Sequence, residues 1–174
     1  MQTSSVKFYS LGFNDSRTFI FSLLFIIGNI VLPQLCHLIH AGGLIFLPIY
    51  FFTLIGAYKY GWKVGLLTAI CSPLINHFLF GMPPTAMLPS ILIKSSLLAV
   101  SAAYAAHRFR TVNIPLLIGV VLIYQIVGSF IESAITGSLS LGFQDFQLGI
   151  PGMLIQIIGG YVFLKYVLGR TARN

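Results

Sequence analysis

Acidic residues are nearly missing from this chain: Asp15, Glu132 and Asp145 are its three carboxylates among 174 residues. Paired-carboxylate acid–base catalysis could draw only on Glu132 and Asp145, because Asp15 precedes the first long apolar segment. The motif G-x-x-x-x-G-K-[ST] is also absent, which excludes nucleotide hydrolysis through a P-loop. These absences favour a protein that is not an enzyme.

Cysteine is scarce as well, and the spacing of Cys36 and Cys71 indicates no disulfide framework. A Cys-His nucleophile could combine either cysteine with His37, His40 or His77, but no spacing demands it. Cys36, His37 and His40 could share a helical face and bind a soft or borderline metal ion, with Cys71 and His77 as further ligands. Histidine at a membrane boundary is more often an amphipathic residue at the edge of water. We therefore predict no catalytic residue, no metal site and no cofactor.

Charge of either sign is rare, and apolar residues take its place. The chain is 57% hydrophobic and 7% charged, with a mean hydropathy of +0.94. A soluble domain of this size cannot bury so much apolar surface, so most of it must face lipid. Apolar runs long enough to cross a hydrocarbon core of ~30 Å recur six times, at 18–36, 42–58, 62–80, 86–106, 114–132 and 150–168.

These runs leave too little sequence for a soluble domain. We predict an all-α integral membrane protein whose single domain, residues 1–174, is a compact bundle of six transmembrane helices. Residues 1–17 form an N-terminal segment and residues 169–174 a C-terminal tail, both of them cytoplasmic.

The net charge of +7 does not indicate nucleic acid binding, because the basic residues sort to one side of the predicted spans. With a cytoplasmic N-terminus, every Lys and Arg except Lys94 falls on the cytoplasmic side: Lys7, Arg17, Lys59, Lys63, Arg108, Arg110, Lys165, Arg170 and Arg173. Membrane proteins follow this distribution as the positive-inside rule. We predict a multi-pass protein of the inner (cytoplasmic) membrane that has lipid, and no nucleic acid, among its partners.

Lys94 is the exception, since it lies about seven residues, or ~10 Å, inside the outer end of the fourth span. Its ammonium could bind an acidic or carbonyl group of a ligand. It could equally extend toward the outer headgroups or pair with Glu132, near the outer end of the fifth span. Both interpretations stay open at this point.

The third span carries glycine and polar residues at intervals that share one helical face: Gly61, Gly65, Thr68, Ser72 and Asn76. Gly61 and Gly65 form a G-x-x-x-G motif, which allows close helix contact. We interpret the lower part of this face as packing. Ser72, Asn76 and the neighbouring His77 lie near the outer end of the span, where we expect them to line a hydrated cavity.

Other spans are also polar toward their outer ends. Gln125, Ser129 and Glu132 lie at i, i+4 and i+7 on one face of the fifth span, and Gln156 lies in the sixth. The inner halves are instead rich in Ala, Leu, Ile and Val, as at 101–106. Polar residues gathered in the outer halves indicate a binding cavity that is open to the outside and closed below.

Three stretches carry a resemblance to a known family: AGGLIFLP at 41–48, GAYKYGWKVG at 56–65 and NHFLFG at 76–81. They resemble loop 1, spans 2–3 and the following turn of the substrate-binding S components of energy-coupling factor (ECF) vitamin transporters. The size, six spans and orientation of the chain are similar too. The resemblance implies a pocket in the outer half, together with a transmembrane coupling subunit and ATPase subunits as partners.

Carried onto this sequence, that pocket would bind a small water-soluble micronutrient, a vitamin or related compound. Cys71 suggests a corrinoid whose cobalt accepts a thiolate, whereas the Tyr and Phe content suits flat heteroaromatic vitamins equally well. The candidate substrate-binding residues are His40, Gly43, Cys71, Asn76, His77, Lys94, Gln125, Glu132 and Gln156.

The chain departs from the family at two places. The first span has Ser22 and Gly28 as its small residues where the family often has Ala-x-x-x-Ala, so the docking surface for the coupling subunit stays open, as does solitary operation. The start Met1-Gln2 lacks the Met-His that is typical of the nickel and cobalt branch.

Two other classes share this size and hydropathy. A structural scaffold of the MreD rod-shape type is the main alternative, but it would not need an outer polar cavity with a buried lysine. A self-sufficient channel is less favoured, because no polar stripe continues through the inner halves.

Overall fold

The computed structural model describes residues 8–167, apart from the side chains of Asp145 and Val167. All regular structure in that part is helical. The helices are α1 Ser16–Cys36, α2 Gly42–Phe46, α3 Phe51–Tyr60, α4 Trp62–Phe80, α5 Leu88–Phe109, α6 Ile114–Thr136, α7 Leu139–Gly142, α8 Gln144–Leu148, α9 Ile150–Leu154 and α10 Gly160–Val162. A 3-10 turn, Pro48–Tyr50, joins α2 to α3. Two π-helical turns flank α10, so that Ile150–Tyr166 forms one helical segment, called here the last helix.

Five helical segments are long and apolar enough to cross a membrane: Ser16–Cys36, Gly42–Tyr60, Trp62–Phe80, Leu88–Phe109 and Ile114–Thr136. The last helix makes a sixth span only when it is taken together with Leu139–Leu148, from which it is bent by 53°. The prediction of an all-α, multi-span membrane protein is confirmed, with five to six spans. The end of the predicted sixth span, residue 168, lies outside the described residues, as does the predicted tail 169–174.

The second predicted span is not one regular helix. Leu47 adopts the left-handed region at φ 47°, which breaks the segment between α2 and the 3-10 turn. Ala41, just before α2, is left-handed as well, at φ 55°. Residues other than glycine rarely adopt this backbone region. The short helix α2 is therefore bounded on both sides by an unusual backbone conformation that changes the direction of the chain.

The helix ends follow local capping chemistry. The side chains of Asp15 and Asn113 each accept a hydrogen bond from a nearby backbone N–H at 2.9 Å and begin α1 and α6. Gly81 and Gly137 take left-handed conformations after α4 and α6, where glycine pays no steric cost.

The centre of the bundle is α3, whose Leu54, Ile55 and Ala57 are fully buried. A Cβ at Gly65 would overlap Ala57, so the close approach of α4 to α3 depends on that glycine. Large apolar side chains outside this core are exposed along α1, α4 and α6, as expected for helices that face lipid. Glycine at position 65 thus does what the G-x-x-x-G pattern predicts.

One end of the bundle gathers the basic residues. The Tyr9 N–H donates to the Lys59 carbonyl at 2.9 Å, and the Tyr58 hydroxyl donates to the Thr111 carbonyl at 2.7 Å. The segment before α1, the α3–α4 junction and the α5–α6 junction therefore meet. We call this the basic end, with Arg17, Lys59, Lys63, Arg108 and Arg110. Lys7, Arg170 and Arg173 lie outside the described residues, and the orientation of the bundle in the membrane stays a prediction.

Candidate functional site

Two sets of buried or partly buried polar side chains lie away from the basic end. The first, called here the α4 network, joins α1, α3 and α4. Its members are Asn29, Gln34, Thr53, Thr68, Ser72 and Asn76. The second, called here the α6 cluster, joins α5, α6 and the last helix. Its members are Lys94, Ser95, Gln125, Ser129, Glu132 and Gln156.

Asn29 is the centre of the α4 network. Its amide nitrogen donates to the Thr53 hydroxyl at 3.0 Å and to the Ser72 hydroxyl at 3.4 Å, and its amide oxygen accepts from the Phe52 N–H at 3.2 Å. That last bond supplies a partner for one of the N–H groups that a helix start leaves unpaired. The residue thereby ties the middle of α1 to the beginning of α3 and to α4.

Asn76 completes the network toward the outer end. Its amide nitrogen donates to the carbonyls of Asn29 and Ser72, both at 2.9 Å, and its amide oxygen accepts from Gln34 at 3.4 Å. Thr68 and Ser72 each donate to the carbonyl four residues earlier. Among the described residues, no side-chain atom of the network is buried without a partner. The polar face of α4 is therefore satisfied by the protein itself.

Asn76 also borders a small cavity of about 120 Å³ at the outer end. The cavity lies between the end of α1, the α2 segment and the turn after α4, and its lining includes His37, Gly43, Pro83 and Ile91. A typical small-molecule pocket has about 300–1,000 Å³. In this conformation the cavity has room for water but not for a vitamin.

The α6 cluster is built around a buried ion pair. Lys94 Nζ lies 2.5 Å from Glu132 Oε2, and the two side chains are 1% and 16% exposed. The stem of Lys94 crosses α6 at Gly128, where a Cβ would overlap its Cγ. The pair with Glu132, one of the alternatives for Lys94, is thus present, and a glycine one turn before the glutamate makes room for it.

Next to this pair the α6 cluster contains buried atoms that find no partner within the described part of the chain. They are both amide atoms of Gln125, the hydroxyls of Ser95 and Ser129, and the amide nitrogen of Gln156. The amide oxygen of Gln156 accepts from the Tyr124 hydroxyl at 2.9 Å. Gln125, Ser129 and Gln156 are fully buried. Buried polar groups in proteins nearly always have a partner, so this cluster offers hydrogen-bonding capacity that the fold does not use.

Short outer elements cover the α6 cluster. Gly142 of α7 lies so close to α6 that an added Cβ would lie 2.7 Å from the Ser129 carbonyl oxygen. The backbone of α2 touches the last helix at Gly152, where a Cβ would lie 2.5 Å from the carbonyl carbon of Phe46. Because Gln125 stands midway along α6, the cluster extends from the middle of the helix to its covered outer end.

The sequence-predicted site residues thus fall into several places. Lys94, Gln125, Glu132 and Gln156 belong to the α6 cluster, whereas Gly43 and Asn76 border the outer cavity. The ring of His77 hydrogen-bonds the Pro83 carbonyl at 2.7 Å. His40 is exposed in the turn before α2, and Cys71 is a partly buried free thiol on α4. No group of three or more His, Cys, Asp or Glu that could hold a metal ion exists within residues 8–167, as far as their side chains are described.

Sequence reasoning missed Asn29 and Gly128. An asparagine in the middle of the first apolar run was a signal for Asn29, because lipid would leave its amide unsatisfied. Gly128 stands between Gln125 and Ser129 on the polar side of α6, but only its contact with Lys94 reveals its role.

The fold and the buried polar sites define a multi-span helical membrane protein. No family model, curated protein or solved structure matches the chain.

Proposed function

We propose that this chain is the substrate-binding subunit of a membrane transporter of the ECF type, an S component that takes up a small water-soluble micronutrient. It would act in the inner membrane with both termini in the cytoplasm, and a separate ATPase module would supply the energy through a transmembrane coupling subunit. The observation that carries the proposal is the α6 cluster, in which buried polar atoms of Ser95, Gln125, Ser129 and Gln156 have no partner among the described residues and lie beside the Lys94–Glu132 ion pair.

The energetic argument concerns the cost of those atoms. A buried donor or acceptor without a partner costs about 1–3 kcal/mol in a protein. A fold that needed only packing would replace Gln125 with leucine and remove two such atoms at once. A glutamine at position 125 is explained if water occupies the site in the absence of ligand, and if a bound ligand accepts and donates those hydrogen bonds.

The substrate chemistry follows from the same atoms. Gln125, Ser129 and Gln156 offer neutral donors and acceptors, whereas Lys94 and Glu132 neutralise each other. The ring of Tyr124 lies 5.2 Å from that of Tyr50, beside the Gln156 amide. This combination suits a flat heterocycle with ring nitrogens and carbonyls better than a highly charged solute. A corrinoid held through Cys71 is the second possibility within the class.

Access requires movement at the outer end. The outer cavity of about 120 Å³ must enlarge before a vitamin can enter. The segment 37–47 is the element suited to this, because it is short, borders the cavity and has left-handed residues at Ala41 and Leu47. Its contact with Gly152 would open at the same time.

Native mass spectrometry of the protein, purified in mild detergent from cells grown in rich medium, tests the proposal. We expect the wild-type chain to carry one small molecule, whose mass identifies it. If the ligand is a heterocyclic vitamin, Cys71→Ser should retain it. If the ligand is a corrinoid, Cys71→Ser should lose it together with its visible absorption. If the wild-type chain carries nothing, and no vitamin raises its melting temperature, the proposal fails and the MreD-type scaffold becomes the better account.

A further inference from the structure

Another cavity, of about 970 Å³, lies at the basic end, far larger than the outer one. It is bounded by the segment before α1, by the α3–α4 junction and by the last three turns of α5. Side chains from these elements line it: Tyr58, Trp62, Leu66, Tyr104, His107 and Arg110. It shares no lining residue with the α6 cluster or with the outer cavity.

The α5 wall changes from apolar to basic along its length. Val100, Ala103, Tyr104, His107 and Arg110 follow the spacing of a single helical face. Val100 and Arg110 are ten residues apart, which is about 15 Å along a helix. No acidic residue is among the described lining residues, so the basic end of the cavity keeps its charge.

Two aromatic side chains mark the level of this cavity in the membrane. Trp62 and Tyr104 are 46% and 67% exposed. Trp and Tyr concentrate where hydrocarbon meets headgroups. Val100, one turn deeper, is half exposed within a span that faces lipid. The apolar part of the cavity is therefore at the depth of acyl chains, and Arg110 is at the depth of headgroups.

The backbone turn that carries Arg110 is held by two hydrogen bonds. Arg110 ends α5 in a left-handed conformation at φ 50°, with its N–H bonded to the Ala106 carbonyl at 3.0 Å. The hydroxyl of Tyr58, itself a lining residue, bonds the Thr111 carbonyl at 2.7 Å. The turn that carries Arg110 is thus tied to the opposite wall of the cavity.

We propose that this cavity binds an anionic phospholipid. Its phosphate would lie beside Arg110 and His107, and an acyl chain would follow Tyr104, Leu66 and Val100 toward the hydrocarbon. Basic pockets between transmembrane helices on the cytoplasmic side recognise anionic headgroups in this manner. A soluble anion would leave the deep apolar part unused, and an apolar protein helix would leave the cationic end unpaired. The proposal does not depend on the transport function.

Trp62 provides a direct probe, because it is the one tryptophan in the chain and lines the cavity. The full-length protein is reconstituted in phosphatidylcholine vesicles, into which phosphatidylglycerol or phosphatidylcholine with brominated acyl chains is titrated. Bromine on an acyl chain quenches tryptophan fluorescence on contact. We expect phosphatidylglycerol to quench Trp62 at about one fifth of the concentration that phosphatidylcholine needs, the factor that one basic residue at a membrane surface supplies.

Arg110→Gln should abolish that preference, because it removes the cation that receives the phosphate. Arg108→Gln is the matched control: it removes the same charge two residues away, from a side chain that stacks near Phe109 and does not line the cavity. It should leave the preference within about twofold of wild type, since Arg108 does not line the cavity and an exposed ion pair at a surface contributes little. Inorganic phosphate should not relieve the quenching.

Three results would overturn the proposal. Equal quenching by both lipids would mean ordinary annular contact. An equal loss of preference in Arg108→Gln and Arg110→Gln would mean diffuse surface attraction. No quenching by either lipid would mean that a protein segment, from residues 1–7 or from another chain, fills the cavity.

Discussion

The α4 network and the α6 cluster have similar residue types and similar burial, yet they differ in how their polar atoms are used. In the α4 network, Asn29 and Asn76 bond to side chains and carbonyls on neighbouring helices, and every buried side-chain atom has a partner. In the α6 cluster, Gln125 and Ser129 have none among the described residues. A satisfied network needs no function beyond holding helices together. An unsatisfied cluster needs a further molecule.

The largest effect that tests this contrast is expected at the ion pair. Lys94→Ala leaves the partly buried Glu132 without its cation, and breaking a buried pair on one side costs about 3–5 kcal/mol. The double variant Lys94→Met, Glu132→Leu should recover most of that loss, because neither charge then remains. Unfolding in denaturant, followed by circular dichroism in detergent, measures both. A single variant as stable as wild type would contradict the burial of the pair.

The next effect is expected in the α4 network. Asn29→Leu removes the partner of the Phe52 N–H and one partner of Thr53, which should cost about 1–3 kcal/mol of unfolding free energy. Ligand binding should remain, because the network is structural. The same denaturant experiment gives the stability, and a loss of ligand without a loss of stability would reverse the assignment of the two regions.

Gly128→Ala should cost about 1–3 kcal/mol through overpacking, since the added Cβ overlaps the stem of Lys94. Gly119→Ala, on the same helix, is the matched control, because nothing lies within 4 Å of its Cβ position. That control should be neutral or stabilising by up to ~1 kcal/mol from helix propensity. Equal effects of the two changes on the melting temperature would mean that Lys94 does not cross α6 at Gly128.

The smallest effect is expected at His40. The side chain is exposed in the turn before α2, and surface substitutions usually change stability by less than about 0.5 kcal/mol. His40→Ala should therefore melt as the wild type does. A clear drop in melting temperature would show that the segment 37–47 is anchored through this residue.

The hydropathy of the sequence predicts the spans well, because lipid forces long apolar segments. It also offers the pair of Lys94 with Glu132 as one of the alternatives for Lys94, since charges are so few. It does not predict the break at Leu47, where a leucine adopts the left-handed conformation that glycine adopts most readily. Nor does it predict the bend of 53° between Leu139–Leu148 and the last helix.

Sequence also cannot separate the two polar regions. Asn76 and Gln125 both stand on polar faces of apolar helices, and both were predicted to bind substrate. What distinguishes them is whether a neighbouring helix supplies a partner: Asn29 does so for Asn76. That information lies in the packing of distant segments rather than in local spacing.

Gln125→Leu tests the central claim most directly. We expect the variant to lose the small molecule that the wild-type chain carries in native mass spectrometry. Its unfolding free energy should be unchanged or higher, because the change removes two buried atoms that have no partner in the described part of the chain. Asn29→Leu, measured beside it, should show the reverse pattern. If Gln125→Leu keeps the ligand at wild-type occupancy, or loses stability as Asn29→Leu does, the α6 cluster is a structural element and the assignment of a substrate site to it is wrong.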